Sequence, residues 1–358
     1  MSRSVNLHDL ARLGAAERAN LLKRSEADLG AFLERVRPII EAVRTEGDVA
    51  LARFANEFDK SPVKANEIAA TKADFDAAFK AVEPEVIAAI EFAVENIRKF
   101  HSDQKPEEMW LHEMRPGAFA GDRFRPIPSV ACYVPRGKGS FPSVVMMTTV
   151  PAVVAGVKNI CVITPPGPDG KIDAATLVAA RLAGVENVYK CGGAQGIAAV
   201  AYGTQTVPKC AKVLGPGSPY VVAAKRLLSD VIDPGIPAGP SESIIFADEA
   251  VDGALAALDL LVEAEHGPDS SAYLVTPSRK VADEALQALP EYWAKMSEQR
   301  VNFSSTVLSG RSGGIVLTPD TDSAMVFSSS PMVTLINELS PAEALRRAST
   351  KLGLTVSN

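Results

Sequence analysis

Cysteine is scarce in this sequence, and its four copies stand far apart. They occupy positions 132, 161, 191 and 210 without any C-x-x-C pair, which excludes a disulfide scaffold and a zinc knuckle. Three of them lie in or beside apolar runs that are typical of strands. We therefore expect buried free thiols in a reducing compartment, and the sequence predicts a cytoplasmic protein.

Long hydrophobic runs and long runs of one charge are also missing. No segment approaches the roughly 18 apolar residues of a membrane span, and Asp9 introduces a charge before a signal peptide could form. Lys+Arg 37 against Asp+Glu 43 give a net charge of -6, spread along the chain without a basic or acidic block. This pattern predicts neither a nucleic-acid partner nor a membrane partner.

The composition is that of a globular protein with ample core. The 358 residues are 47% apolar and 22% charged, which suits two domains or one large α/β unit. Up to residue 105 apolar residues recur at spacings of three and four, as at Leu29, Phe32 and Leu33, and predict amphipathic helices. The proline-rich residues 106–128 are predicted to connect these helices to the rest, with a short strand pair.

A different pattern begins at residue 129, where short apolar runs alternate with small-residue helices. The segment Ala155-Gly156-Val157-Lys158-Asn159-Ile160 recurs as Ala183-Gly184-Val185-Glu186-Asn187-Val188. In both copies a helix is predicted to end at glycine with a strand directly after it, which is the helix-to-strand connection of a parallel sheet. After a Pro/Gly-rich loop at 233–240, a second set of strands and helices follows.

The predicted fold class is therefore α/β, with two Rossmann-like doubly wound parallel-sheet domains and a helical N-terminal segment. We place the helical segment and the first part of domain 1 at residues 1–131. Domain 2, the Rossmann-like domain, is placed at residues 132–241. Residues 242–358 then form the second part of domain 1, ending in a truncated or atypical tail.

Ligands of doubly wound sheets bind beyond the carboxyl ends of the strands, so the strand-to-helix loops are candidate sites. One loop follows Tyr133 and carries Arg136 and Lys138, which suit a phosphate or pyrophosphate. A solvated basic turn is the alternative. Two further loops place Gln195 and Ser218 at predicted helix starts, after Gly-Gly and Gly-Pro-Gly. Neither is a G-x-G-x-x-G, and structural turns remain an alternative for both.

Glu263 and His266 are three residues apart at the end of a predicted helix. They share one face and are able to contact the same divalent ion. A surface capping pair is the alternative interpretation. A tetrahedral zinc ion needs two more ligands, and the sequence shows no second pair.

Taken together, these segments resemble the histidinol dehydrogenase family over roughly residues 20–320. The segments that carry the resemblance are AAIEFAVENIRKFH at 88–101, YVP at 133–135, GGAQ at 192–195, GPG at 215–217, AGPSE at 238–242 and AEHGPD at 264–269. The family is a set of homodimeric enzymes that oxidise L-histidinol to L-histidine through the aldehyde, with NAD and zinc, in histidine biosynthesis. The resemblance therefore implies an NAD-binding domain 2, an amino alcohol substrate and a homodimer.

The resemblance also implies roles for single residues. Tyr133 and Gln195 correspond to NAD contacts, and Ser218 stands where the family has an asparagine with the same role. Ser241 corresponds to a substrate contact. His266 corresponds to a ligand of zinc and substrate, and Glu263 takes the place of a glutamine ligand.

The last part of the sequence departs from the family pattern. The family's adjacent Glu-His acid/base pair is absent from residues 335–345, so no catalytic residue is assigned. The aspartate and histidine that complete the family's zinc site are absent as well. Two alternatives therefore stand beside histidinol oxidation: a paralog that oxidises another small polar alcohol, and a truncated, inactive NAD-binding remnant.

Overall fold

The computed structural model describes residues 4–22, 29–137, 139–235, 242–328 and 334–337. The chain divides into two compact units. The first, here the four-stranded unit, is formed by residues 27–239, and the second, the five-stranded unit, by residues 1–26 and 240–358.

The strands are β1 (Leu7–Asp9), β2 (Met109–Arg115), β3 (Ala118–Arg123), β4 (Ser129–Tyr133), β5 (Asn159–Thr164), β6 (Val188–Lys190), β7 (Lys212–Leu214), β8 (Glu242–Phe246), β9 (Ser271–Thr276), β10 (Gly313–Leu317) and β11 (Thr334–Asn337). The helices are α1 (Ala15–Leu21), α2 (Gly30–Glu46), α3 (Asp48–Asp59), α4 (Lys72–Ala81), α5 (Pro84–Gln104), α6 (Pro142–Val154), α7 (Ala174–Ala183), α8 (Gly193–Tyr202), α9 (Pro219–Leu227), α10 (Gly253–Ala264), α11 (Arg279–Trp293), α12 (Glu298–Ser309) and α13 (Thr321–Ser328). A short 3₁₀ helix covers Ala65–Glu67.

The four-stranded unit contains a parallel sheet in the order β6-β5-β4-β7. Successive side chains of a strand point to opposite faces of the sheet, and in this sheet the side chains on both faces are apolar. Ala131 and Tyr133 of β4 enter one core cluster, whereas Val130 and Cys132 enter the other. Helices cover both faces, as the doubly wound prediction requires.

The N-terminal helices belong to this same unit. The apolar stripe of α2, formed by Val36, Ile40 and Val43, packs in the core cluster that contains Tyr133, and Ile90 and Val94 of α5 pack in the opposite cluster. The compact unit around this sheet covers residues 27–239, whereas the Rossmann-like domain was predicted at residues 132–241. The difference arises because an amphipathic helix shows that it has a buried face but not which sheet that face covers.

Helix α3 is fixed to the end of α8 by a buried carboxylate. Asp48, in the first turn of α3, accepts hydrogen bonds from the hydroxyls of Thr204 and Thr206, each at 2.5 Å. Its N–H donates to the side-chain oxygen of Gln205 at 2.8 Å. These bonds satisfy backbone and side-chain groups that would otherwise be buried without partners.

The five-stranded unit contains a second parallel sheet, in the order β1-β10-β9-β8-β11. The predicted strands at 243–247, 272–276 and 314–317 correspond to β8, β9 and β10. Strand β1 lies within the segment that we predicted to be helical, and it is instead an edge strand. Leu7 is paired with Ile315 of β10, so the beginning of the chain completes a sheet whose other strands come from its second half.

Strands β2 and β3 form the predicted strand pair, as an antiparallel hairpin. Every residue of β2 is exposed, and β3 is exposed at all but its first position. The hairpin nevertheless carries large apolar side chains, among them Leu111, Met114 and Phe119, which are 58%, 60% and 62% exposed. An apolar ribbon exposed on both faces is a feature of a surface that meets a partner.

All four cysteines are free and buried, as predicted. The Sγ atoms of Cys161 and Cys210 lie 3.7 Å apart. Within the described ranges, no helix combines the length and the apolar character needed to cross a membrane.

Candidate functional site

The predicted nucleotide contacts lie on loops at the carboxyl ends of the strands of the four-stranded unit. From β4 the chain moves through β5 to β6 on one side, and β7 then pairs on the other side of β4. The strand order therefore reverses beside β4, and this is where doubly wound sheets bind ligands. Tyr133 is the last residue of β4, Gln195 follows β6 and Ser218 follows β7.

Tyr133 connects two of these loops. Its side chain is buried, and its hydroxyl oxygen accepts a hydrogen bond from the Gly193 N–H at 3.3 Å. Burial raises the pKa of Tyr133 to about 12, with a smaller opposing effect from the Gly193 hydrogen bond. The phenol is therefore neutral at physiological pH and keeps its own hydrogen for donation.

Gln195 lies in the first turn of α8 and is 3% exposed. The backbone before it is tightly constrained, because Gly193 has a φ of +57°. A Cβ atom on Gly193 would lie 2.6 Å from Oε1 of Gln195. The absence of a side chain at Gly193 therefore allows the side-chain amide of Gln195 to occupy its position at the start of the helix.

The loop from Gly215 to Ser218, here the β7–α9 loop, passes directly over Tyr133. Gly215 has a φ of +111°, and a Cβ atom there would lie 2.1 Å from the Tyr133 carbonyl oxygen. Ser218 is the N-cap residue of α9, is exposed, and makes no capping hydrogen bond with its side chain to the described backbone. Its hydroxyl stands beside N–H groups at the start of a helix, which favour anions.

A buried lysine supports this loop, and the sequence analysis did not identify it. Lys225 of α9 is 5% exposed, and its Nζ donates a hydrogen bond to the Gly215 carbonyl oxygen at 2.8 Å. Burial lowers the pKa of Lys225 to about 8. Lysine is rarely buried without a reason, but its burial depends on tertiary packing, and the sequence carries no local signal for it.

Asp59, at the end of α3, is a second residue that sequence reasoning missed. Burial raises its pKa to about 6, and the positive charge of Arg136 acts in the opposite direction. Its Oδ2 atom is buried and accepts no hydrogen bond from the residues that the structure describes. Asp59 also acts electrostatically on Tyr133, raising its pKa further. An acidic group therefore lies close to the tyrosine of the candidate site.

The basic loop after Tyr133 was predicted to suit a phosphate or pyrophosphate through Arg136 and Lys138. Arg136 donates a hydrogen bond from Nη1 to the Lys171 carbonyl oxygen at 3.3 Å, so its guanidinium is engaged by the loop after β5. Lys138 lies outside the described residues.

Glu263 and His266 belong to the five-stranded unit and do come together. Glu263 lies in the last turn of α10, and Nδ1 of His266 is 3.7 Å from its Oε1 and 3.3 Å from its carbonyl oxygen. Their side chains are 16% and 50% exposed. Over the described part of the chain, no group of three His, Cys, Asp or Glu side chains is arranged to hold a metal. Two ligands do not make a tetrahedral zinc site, so the described residues alone do not fit zinc. Ser241, the predicted substrate contact, lies outside the described residues.

Comparison with known proteins identifies the family. The sequence profile of the family described as histidinol dehydrogenase matches residues 22–333. A "Histidinol dehydrogenase homolog" of Rhizobium meliloti is 66% identical over 324 residues, which cover 90% of this chain and 71% of that protein. A "Histidinol dehydrogenase" of Synechocystis is 48% identical over 318 residues, covering 89% of this chain and 73% of the relative.

A solved structure agrees with the sequence comparison. The crystal structure of histidinol dehydrogenase from Elizabethkingia anophelis superimposes with a TM-score of 0.87 at 31% identity, covering 96% of this chain and 78% of that one. The resemblance predicted from the separate motifs is thereby confirmed along the length of the chain. The chain is an oxidoreductase that belongs to the histidinol dehydrogenase family.

Proposed function

We propose that this protein uses NAD to oxidise an amino alcohol, L-histidinol, to L-histidine through the aldehyde in histidine biosynthesis. The observation that carries the proposal is the meeting of three loops at the end of β4. The Tyr133 hydroxyl contacts the start of α8, and Gly215 packs on the Tyr133 carbonyl. A parallel sheet presents this arrangement at its switch point, where dinucleotides bind.

The residues present suit the dinucleotide. Tyr133 offers a phenolic hydrogen that burial keeps on the oxygen, Gln195 offers an amide, and Ser218 offers a hydroxyl beside a helix N-terminus. These are neutral donors and acceptors placed around glycines that allow close backbone approach to a phosphate. Bound NAD would supply the hydride acceptor. The protein would hold the charged and polar groups of NAD in one orientation.

Zinc is the second cofactor that the family implies, and Glu263 and His266 are the residues that would hold it. The carboxylate of Glu263 would add negative charge beside the metal, where the family has a neutral amide. Among the described residues, these two side chains fall short of the four ligands of a tetrahedral zinc site.

A paralog that oxidises another small polar alcohol is the second candidate. Its support lies in the relatives: those at 60% to 67% identity carry the name "Histidinol dehydrogenase homolog", whereas the Synechocystis protein named "Histidinol dehydrogenase" is 48% identical. Ser218 and Glu263, which replace family residues within otherwise matching segments, favour the same candidate. The third alternative is a chain that binds NAD and turns nothing over.

We further propose that the protein works as a homodimer in the cytoplasm. The exposed apolar hairpin of β2 and β3 supports self-association, because two copies would shield the same side chains symmetrically. Four free cysteines suit a reducing compartment.

The proposal is tested with purified protein, NAD, zinc and L-histidinol, by following the absorbance of NADH. NAD binding is measured separately by isothermal titration calorimetry. A matched panel of other amino alcohols and small diols is assayed in parallel. NADH formation with L-histidinol supports histidinol oxidation, and NADH formation with another alcohol alone supports the paralog. Binding of NAD without turnover of any alcohol contradicts both and favours the inactive chain.

A further inference from the structure

Lys225 is a buried cation without an acidic partner. Its side chain lies in the interior of the four-stranded unit, and its Nζ donates a hydrogen bond to the Gly215 carbonyl oxygen at 2.8 Å. No carboxylate in the described ranges forms an ion pair with it. Keeping a cation away from water costs free energy unless another group compensates for the lost hydration. The backbone carbonyl compensates only in part, so the position points to a role beyond packing.

The contacts around Lys225 lead to the candidate nucleotide site. The lysine holds the carbonyl of Gly215, and Gly215 lies so close to the Tyr133 carbonyl that a methyl group would not fit between them. Tyr133 in turn accepts the Gly193 N–H. One continuous path of contacts thus runs from the ammonium group through the β7–α9 loop and Tyr133 to the first turn of α8.

We propose that Lys225 is a positioning residue for the dinucleotide, which fixes the β7–α9 loop against Tyr133 and places a positive charge behind that loop to attract the pyrophosphate. This inference rests on the proposed use of NAD. A pyrophosphate is negatively charged, whereas no carboxylate in the described ranges forms an ion pair with Lys225. Binding of the dinucleotide would therefore supply the missing counter-charge in a poorly hydrated environment, where charges interact strongly.

The charged groups on the neighbouring elements do not compensate for the buried charge of Lys225. On α2, Arg35 donates to the Tyr220 hydroxyl at 3.4 Å, and on β7, Lys212 pairs with Asp233 at 2.5 Å. At the end of α8, the Tyr202 ring lies beneath the guanidinium of Arg44. Burial alone accounts for the lowered pKa of Lys225, at about 8. Part of the population would therefore lose the charge between pH 7 and pH 9.

The first test compares NAD affinity by calorimetry at pH 7 for the full chain, K225M, K225R and R226M. Met has a similar length without charge, and Arg226 is the exposed neighbour on the same helix. We expect K225M to weaken NAD binding by about tenfold or more, as for loss of a charge-assisted contact. K225R should recover part of the affinity, and R226M should match the unchanged protein. ADP-ribose, which keeps the pyrophosphate, should lose affinity in parallel, whereas uncharged adenosine should not.

The pH profile of the unchanged protein is the second test, and it does not depend on any variant folding. The charge of the pyrophosphate is constant between pH 7 and pH 10, so a fall in NAD affinity centred near pH 8 reports a protein group. K225M should lack this fall. A flat profile in the unchanged protein, or equal NAD affinity in folded K225M, overturns the inference while leaving NAD use intact. No NAD binding by the unchanged protein overturns both.

Discussion

The Tyr133 hydroxyl and the Gly193 N–H lie 3.3 Å apart in a hydrogen bond that joins the end of β4 to the start of α8. The two residues are 60 positions apart in sequence. The bond therefore fixes two separate loops of the candidate site relative to each other. Since the oxygen is the acceptor, the phenolic hydrogen remains for a ligand.

Replacing Tyr133 with Phe removes that bond and that hydrogen while keeping the ring. We expect NAD affinity to fall about three- to tenfold, because a neutral hydrogen bond contributes about 0.5 to 1.5 kcal/mol net. Calorimetric titration with NAD measures the change. Tyr189→Phe, a partly buried tyrosine on β6, is the matched control. Equal losses in both variants would argue against a specific role for Tyr133.

Gly193→Ala tests the need for a left-handed backbone in the first turn of α8. The φ of +57° and the close approach of Gln195 both oppose a side chain here. We expect the free energy of unfolding to fall by about 1 to 2 kcal/mol and NAD binding to weaken as Gln195 is displaced. Urea unfolding and calorimetry measure the two effects. Gly137→Ala, where a Cβ would meet nothing within 4 Å, should leave the free energy of unfolding unchanged.

Asp59 predicts a pH dependence of stability. Its pKa is raised from 3.8 to about 6, so the folded protein binds a proton that the unfolded chain releases. Its contribution to the free energy of unfolding is therefore greatest below pH 3.8 and is lost as the pH rises through 6. Asp59→Asn should be more stable than the unchanged protein above pH 6, by about 1 to 2 kcal/mol once solvent screening is allowed for.

The Asp59 measurement is a urea titration of both proteins from pH 4 to pH 8, with the exposed neighbour Glu57→Gln as control. The stability difference for Asp59→Asn should shrink towards acid pH, and Glu57→Gln should show little difference throughout. A difference for Asp59→Asn that is constant with pH would contradict the assignment of this carboxyl.

The exposed hairpin predicts a change of oligomeric state. Leu111→Ser together with Phe119→Ser removes two large apolar side chains from its surface. We expect sedimentation velocity to show a shift from dimer to monomer, with little loss of folding stability, because both side chains are exposed. Leu255→Ser, which alters a side chain 51% exposed on α10, should remain dimeric. A double variant that sediments like the unchanged protein would exclude the hairpin as the dimer contact.

Much of the four-stranded unit could be predicted because its signals are local. The repeated Ala-Gly-Val segments end helices and begin strands where they were expected, and the buried cysteines follow from the apolar strands around them. Strand β1 was missed because three residues with a histidine and an aspartate show no apolar alternation. Its pairing with β10 is decided by a partner about 300 residues away.

In the candidate site, too, some residues could be identified from the local sequence, whereas others depend on tertiary packing. Tyr133 could be selected from the sequence because it ends an apolar strand, and Gln195 and Ser218 because they follow glycine-rich turns after strands; their role as nucleotide contacts stays a prediction. Lys225 and Asp59 were missed because an isolated lysine on a helix or an aspartate at a helix end is ordinarily solvated. Only tertiary packing, such as that of α9 against α2 and α8, shields these two side chains from water.

Strand β1 also has a consequence for the synthesis of the chain on the ribosome. Leu7 emerges from the ribosome early, but its partner Ile315 is made about 300 residues later. At about 5 to 20 residues per second, this interval is roughly 15 to 60 s. The four-stranded unit, whose residues lie between them, is complete before that pairing is possible. The nascent chain must therefore carry an unpaired N-terminal strand through most of translation, a period in which chaperone binding to that segment would protect it from aggregation.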